Sequence, residues 1–243
     1  MKNFLSTLLV FAIAVATISA DEAGKQVEKS FKISDEVSIP YLQYLPKKYK
    51  AGNKNKKWPL ILFLHGRGES NGPLSIVAKW GPPKKVANGD DIPYILISPQ
   101  CPKEDRWASD TQVARLLKLL TQLKKEFPID ENQIILTGLS MGGFGSWNLA
   151  AREPDMFAAV MPICGGGKPE FADKLKDTNI WAYHGTADQV VPYQLSVDMV
   201  DAIKKAGGKK IKLTSVKGVG HNSWSAAYED RKVWKWFAAQ KKN

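Results

Sequence analysis

Short, nearly continuous apolar runs that alternate with segments of helical periodicity predict an α/β domain, with a mostly parallel sheet covered on both faces. Residues 58–64 (WPLILFL) and 93–98 (PYILIS) are apolar without alternation, as expected of strands buried on both sides. Between residues 111 and 127, Val113, Leu116, Leu117, Leu120 and Leu123 fall on one helical face, and Pro128 follows the segment. Residues 27–33 and 37–44 alternate instead, which predicts a leading antiparallel hairpin.

The chain starts with Lys2, an apolar run over 4–18 and Ser19-Ala20 ahead of Asp21-Glu22. This pattern predicts a cleaved secretory signal peptide over residues 1–20 and a soluble, exported mature protein, secreted or periplasmic. The run is too short to span a bilayer comfortably and no cysteine follows to carry a lipid, so stable membrane insertion is not expected. Residues 21–243 suffice for one substantial catalytic domain and are short for two.

Residues 73–88 have weak helical spacing broken by Gly81-Pro82-Pro83, so an irregular stretch with a short helix is expected there. Apolar strands are expected over 133–139, 157–163 and 180–183, a helix over 193–206 closed by Gly207-Gly208, and a last strand over 210–216. A final helix over 225–239 would place Trp234 and Phe237 on one face. The stretch between Ile163 and Asn179 is short, glycine-rich and polar, which predicts no large lid.

The formal charge is +11, yet the lysines are scattered in pairs at 47/48, 56/57, 84/85, 124/125, 204/205 and 209/210 without interleaved aromatics. This reads as a dispersed solvated surface and argues against a nucleic-acid partner, with a dedicated anion-binding patch as the alternative. Cys101 and Cys164, the two cysteines, permit one bridge worth about 4 kcal/mol on the chain-entropy model, or two buried free thiols.

The chemistry gathers at predicted strand ends. Gly138-Leu139-Ser140-Met141-Gly142-Gly143 joins the 133–139 strand to a helix-like segment over 144–152, the context of a nucleophile elbow. The three histidines, His65, His184 and His221, each lie at or just past a strand end beside glycine. A serine hydroxyl needs a base to take its proton, and that base needs a third group to fix its tautomer. Ser140, Asp188 and His221 supply nucleophile, acid and base in the chain order of the α/β-hydrolase triad. An oxyanion hole would combine the backbone N–H of Met141 with that of Arg67, which Gly66 and Gly68 flank.

LFLHGRGES (62–70), SPQCP (98–102), TGLSMGGFGSW (137–147), PICGGG (162–167), YHGTADQVVP (183–192) and GHNSW (220–224) together give a closer likeness. The chain resembles secreted carboxylesterases of the α/β-hydrolase superfamily, in the group of phospholipase/carboxylesterase-like, feruloyl-esterase-like and single-domain prolyl-oligopeptidase-like proteins. The resemblance implies an α/β-hydrolase fold, carboxylic ester hydrolysis, a triad of Ser140, Asp188 and His221, an oxyanion hole of Arg67 and Met141, and no metal or cofactor. It suggests acylated plant polysaccharide, feruloyl or acetyl, or small-molecule esters, as substrate.

His65 is expected to fix the oxyanion loop by hydrogen bonding and His184 the acid loop, while Trp147 is expected in the core. Glu69 either orients Arg67 or touches substrate, or is a solvated loop carboxylate. Trp107 and Trp224 either stack on substrate or pack within their loops. Two rivals remain at this level: a serine peptidase of prolyl-oligopeptidase-like type, separable by an ester and its matched amide, and a non-catalytic binding protein, separable by fluorophosphonate labelling.

Overall fold

The computed structural model describes residues 22–242; the expected signal peptide over residues 1–20 lies outside them. Among the described residues eight strands form one sheet: β1 (Gln26–Lys32), β2 (Ser38–Tyr44), β3 (Trp58–Leu64), β4 (Ile95–Pro99), β5 (Ile129–Leu139), β6 (Ala159–Ile163), β7 (Ile180–Gly185) and β8 (Ile211–Val216). Their spatial order is β1-β2-β4-β3-β5-β6-β7-β8. β1 and β2 form the leading antiparallel hairpin, β2 also runs antiparallel to β4, and every pairing from β4 to β8 is parallel. This is the α/β-hydrolase fold, without a large lid among the described residues.

Period-two geometry explains why β3 carries no polar residue. Leu60, Leu62 and Leu64 join the core on one face, Ile61 and Phe63 the core on the other, and all five are fully buried. The first face is covered by α2 (Asp110–Glu126), α3 (Met141–Arg152), α4 (Ala172–Leu175) and α5 (Gln194–Lys205), the second by α1 (Gly81–Ala87), α6 (Trp224–Glu229) and α7 (Arg231–Ala239). No helix among the described residues is long and apolar enough to cross a membrane.

Three local expectations change. Gly81-Pro82-Pro83 does not interrupt a helix but starts one: Gly81 sits at φ +69 and the prolines occupy the first turn, where a missing N–H costs nothing. On α2 it is Leu119, not Leu117, that is fully buried between Leu116 and Leu120, as a 3.6-residue repeat allows when the apolar face is wide. The terminal helix is two helices, because Asp230 turns to an extended ψ of 112, caps α7 by accepting from Lys232 N, and receives the Tyr183 hydroxyl at 3.2 Å. Val233 and Phe237 then face the core, with Trp234 half-buried beside them. Cys101 and Cys164 are both buried, free thiols.

β3 lies between β4 and β5, so the chain leaves it in one direction along the sheet and returns on the other side. That reversal opens a crevice at the carboxyl ends of β3 and β5, the place where such sheets bind ligands.

Candidate active site

The elbow is built by close backbone approach. Ser140 has φ 52 and ψ −116, a strained conformation for a non-glycine residue, and its N–H is tied to Ile163 O at 2.9 Å. A Cβ on Gly142 would run into the carbonyl of Leu64, and one on Gly145 into Cβ of Trp107, so only glycine lets α3 press against the end of β3. The Ser140 side chain is thereby held at the edge of the sheet.

The three residues expected as a triad meet there. His221 Nε2 is 2.9 Å from Ser140 Oγ, and His221 Nδ1 is 2.7 Å from Asp188 Oδ2. With Nδ1–H donating to the carboxylate, Nε2 is left as acceptor for the serine proton. Asp188 is saturated with donors: its Oδ1 accepts from Val190 N and Val191 N, both at 2.9 Å, and its Oδ2 also faces His184 Nε2 at 3.1 Å. Burial alone would raise its pKa, but the His221 bond and the two backbone N–H groups hold it below the usual carboxylate value.

His184 is fully buried, and burial pushes its pKa down, against the Val191 carbonyl and Asp188, which favour the charged ring. Its Nε2–H is shared between Asp188 and the Val191 carbonyl at 3.0 Å, and Nδ1 lies 2.7 Å from the Ser196 hydroxyl, which donates to Gly165 O at 3.1 Å. It therefore ties the acid loop to α5, the role anticipated for it. His65 does the same at the other side of the crevice. Its Nδ1–H donates to Gly66 O at 2.6 Å and its Nε2 accepts from Cys101 N at 3.0 Å, bridging the ends of β3 and β4, and burial lowers its pKa to about 4.

Arg67 and Met141 both border the cleft that contains Ser140. Their backbone N–H groups have no hydrogen-bond partner among the described residues; each opens a helical turn, where N–H groups are left unpaired. Two free donors on the cleft that also holds the serine are what an oxyanion requires.

The remaining candidates do not line that cleft. Trp107 is fully buried between the end of β3 and α3: its Nε1 donates to His65 O at 3.0 Å and its ring meets the His65 ring edge-on at 5.2 Å. Trp224 is 9% exposed and packs perpendicular to the His221 ring, centroids 5.3 Å apart, without lining the cleft. Glu69 is a buried loop carboxylate, 4% exposed. Desolvation raises its pKa against Lys79 and the N–H groups of Gly66 and Glu69, and it makes no bond to Arg67. Arg67 is held instead by the carbonyls of Lys103 and Asp105, at 3.0 and 2.6 Å from Nη1. Trp147 is in the core as expected.

The cleft, about 600 Å³, is walled by Arg67, Arg106, Phe144, Asn148, Lys168 and Leu195. Phe144 and Asn148 could have been read from sequence, since they follow Ser140 at intervals of four on one helix face. Arg106, Lys168 and Leu195 come from separate loops and helices and carry no such signal. Cys164, Asp188 and His221 offer ligand atoms within 4.8 Å of one another, but the acid and base are already bonded and burial raises the Cys164 thiol to about 12, which keeps it protonated and a poor metal ligand.

A sequence model of the phospholipase/carboxylesterase family matches residues 97–234, more than half of the chain. The chain belongs to that family. Among curated relatives, it is 27% identical over 157 residues to a bifunctional acetylxylan esterase/xylanase of Neocallimastix patriciarum, the match covering 60% of this chain but 22% of that protein. It is 26% identical over 227 residues to acyl-protein thioesterase 1 of Cryptococcus neoformans, covering 77% of this chain and 95% of the relative. Among solved structures a thermostable esterase superposes with a TM-score of 0.77 at 31% identity, over 91% of this chain and 64% of that one. Family members of this kind act as ester and thioester hydrolases, and the strained serine lies within their shared fold.

Proposed function

We propose that the protein is an exported serine carboxylesterase working through an acyl-enzyme on Ser140. The observation that carries the reading is the continuous relay from Ser140 Oγ through His221 to Asp188, at 2.9 and 2.7 Å, opening on a cleft with two unpaired N–H groups. Ser140 attacks the ester carbonyl as His221 Nε2 takes its proton, and the oxyanion forms against Arg67 N and Met141 N. His221 then returns the proton to the departing alcohol, and a water activated the same way releases the acid. Asp188 stays ionised and balances the imidazolium. Acetyl or feruloyl esters of plant polysaccharide are the proposed substrate class, supported by the acetylxylan esterase relative; export rests on the apolar run over residues 4–18.

A fluorophosphonate probe is expected to label the protein once, on the tryptic peptide that contains Ser140, and an activated ester is expected to release its alcohol in a burst equal to the enzyme concentration. A matched amide should turn over far more slowly. Absence of both label and burst would overturn the proposal.

His184 acts here as a positioning residue. His184→Ala removes one donor from a carboxylate that uses four, and loss of a hydrogen bond to a charged group is worth about 1.5 kcal/mol or more, so kcat should fall roughly tenfold with little change in KM. A KM effect without loss of kcat would place His184 outside the relay.

A further inference from the structure

The cleft beside Ser140 is lined by three cationic side chains, Arg67, Arg106 and Lys168, and by no carboxylate. None of the three makes an ion pair among the described residues. The acidic residues of the adjoining loop and α2 are engaged elsewhere. Asp105 accepts from Gln112 Nε2 at 2.8 Å and from Arg106 N at 2.8 Å, and Asp110 faces Arg152 at 3.6 Å. Arg67 spends only Nη1 on the backbone, leaving Nη2 and Nε without a protein partner among the described residues.

The arrangement also has a direction. Ser140, Phe144 and Asn148 follow one another by four residues along α3, so Asn148 lies about 12 Å down the helix axis from the serine. Lys168 and Asn148 line the next hollow along that face as well, which sets them at the end of the cleft away from Ser140. Phe144 and Leu195 give the middle of the cleft an apolar wall. A ligand lying along α3 thus runs from the two free N–H groups past an apolar wall towards Lys168, with Arg106 lining the same cleft.

We infer that this cleft selects esters whose non-reacting part carries a carboxylate roughly 10 Å from the scissile carbonyl, with Arg106 and Lys168 as specificity-determining residues. The inference rests on the carboxylesterase reading above and names its substrate class. Unpaired cations lining one cleft reinforce one another's field, so an anionic ester is drawn in and held where a neutral one is not. The carboxylate can sit on the acyl side, as in a half-ester of a dicarboxylic acid, or on the alcohol side, as in an acylated saccharide with a uronic acid branch.

Two matched pairs separate these sources. The acyl arm compares the mono-p-nitrophenyl ester of suberic acid with its methyl-capped counterpart. The alcohol arm compares acetylated xylo-oligosaccharides with and without a glucuronic acid branch. In one arm the anionic-to-neutral ratio of kcat/KM should exceed about 10 at low salt, fall towards 1 at about 0.5 M NaCl, and drop at least fivefold in the Arg106→Gln/Lys168→Gln double variant. The arm that responds identifies the half of the ester that occupies the cleft. A ratio near 1 in both arms, with neutral esters still cleaved, overturns the inference alone, as does a ratio that the double variant leaves unchanged. Failure to cleave any ester, together with failure of fluorophosphonate labelling, removes the hydrolase reading on which it stands.

Discussion

Replacing Ser140 with alanine is expected to lower kcat by about 10⁵-fold or more while the melting temperature moves by only a few degrees. The size follows from the proposed mechanism, in which no acyl-enzyme would form without the hydroxyl, and only the free N–H groups of Arg67 and Met141 and the cleft would be left to act on a water-attacked ester. The fold should survive because the strain at this position lies in the backbone, φ 52 and ψ −116, and alanine bears it as serine does. What the variant loses is one hydrogen bond, from Oγ to His221 Nε2 at 2.9 Å, to a ring that Asp188 and Trp224 already hold. Residues that act as a unit are not additive, so Ser140→Ala/His221→Ala should be no slower than Ser140→Ala. Steady-state rates normalised to folded protein, measured beside thermal unfolding, check both statements. A variant that keeps kcat within tenfold of the parent would mean that Ser140 is not the nucleophile.

The elements that place Ser140 were legible because each obeys a local rule. The unbroken apolar run at 58–64 can only be a strand buried on both faces, and it is β3, with Leu60 and Ile61 in opposite cores. Glycines around Ser140 announced close packing, and Gly142 is indeed the point where α3 meets the Leu64 carbonyl. What failed to show was whatever depends on the order of strands in space. Trp107 follows a strand end, as a substrate-stacking residue would, but β4 lies next to β3, and that adjacency turns its indole inward under His65. Arg67, Arg106 and Lys168 are unrelated in sequence and fall into three separate segments, so a charge count reads them as scattered; the switch point between β3 and β5 gathers them on one cleft. The break at Asp230 was hidden for a different reason. Its apolar neighbours keep helical spacing across it, and only the carboxylate's competing bond to Lys232 N reveals the turn.

His65 should make the protein lose stability on mild acidification. In the unfolded chain its imidazole titrates near 6.5, whereas in the fold, fully buried between Gly66 O and Cys101 N, it titrates at about 4. Between those values the unfolded chain holds a proton that the native state refuses, so stability is complete above pH 6.5 and is lost as pH falls towards 4. The shift is worth roughly 3 kcal/mol, a large share of the 5–15 kcal/mol that an ordinary domain possesses. His184, also lowered by burial, adds to the loss in the same direction. Glu69 works against it, because its carboxyl is raised by desolvation and is bound more tightly to its proton in the fold than out of it. Asp188, held below the usual carboxylate value, contributes only at still lower pH, as its own folded pKa is reached. Urea midpoints measured between pH 7 and 4 should therefore fall, and should fall less in His65→Asn, which can still donate to Gly66 O but has nothing to protonate. Should that variant not fold, the imidazole resonances of the parent give the same answer: His65 should remain neutral down to about pH 4 while a solvent-exposed histidine would titrate near 6.5. A His65 resonance that titrates near 6.5 in the folded protein would show that the ring is not sealed in, and the tie from the end of β3 to Cys101 N would then be looser than its 3.0 Å bond implies.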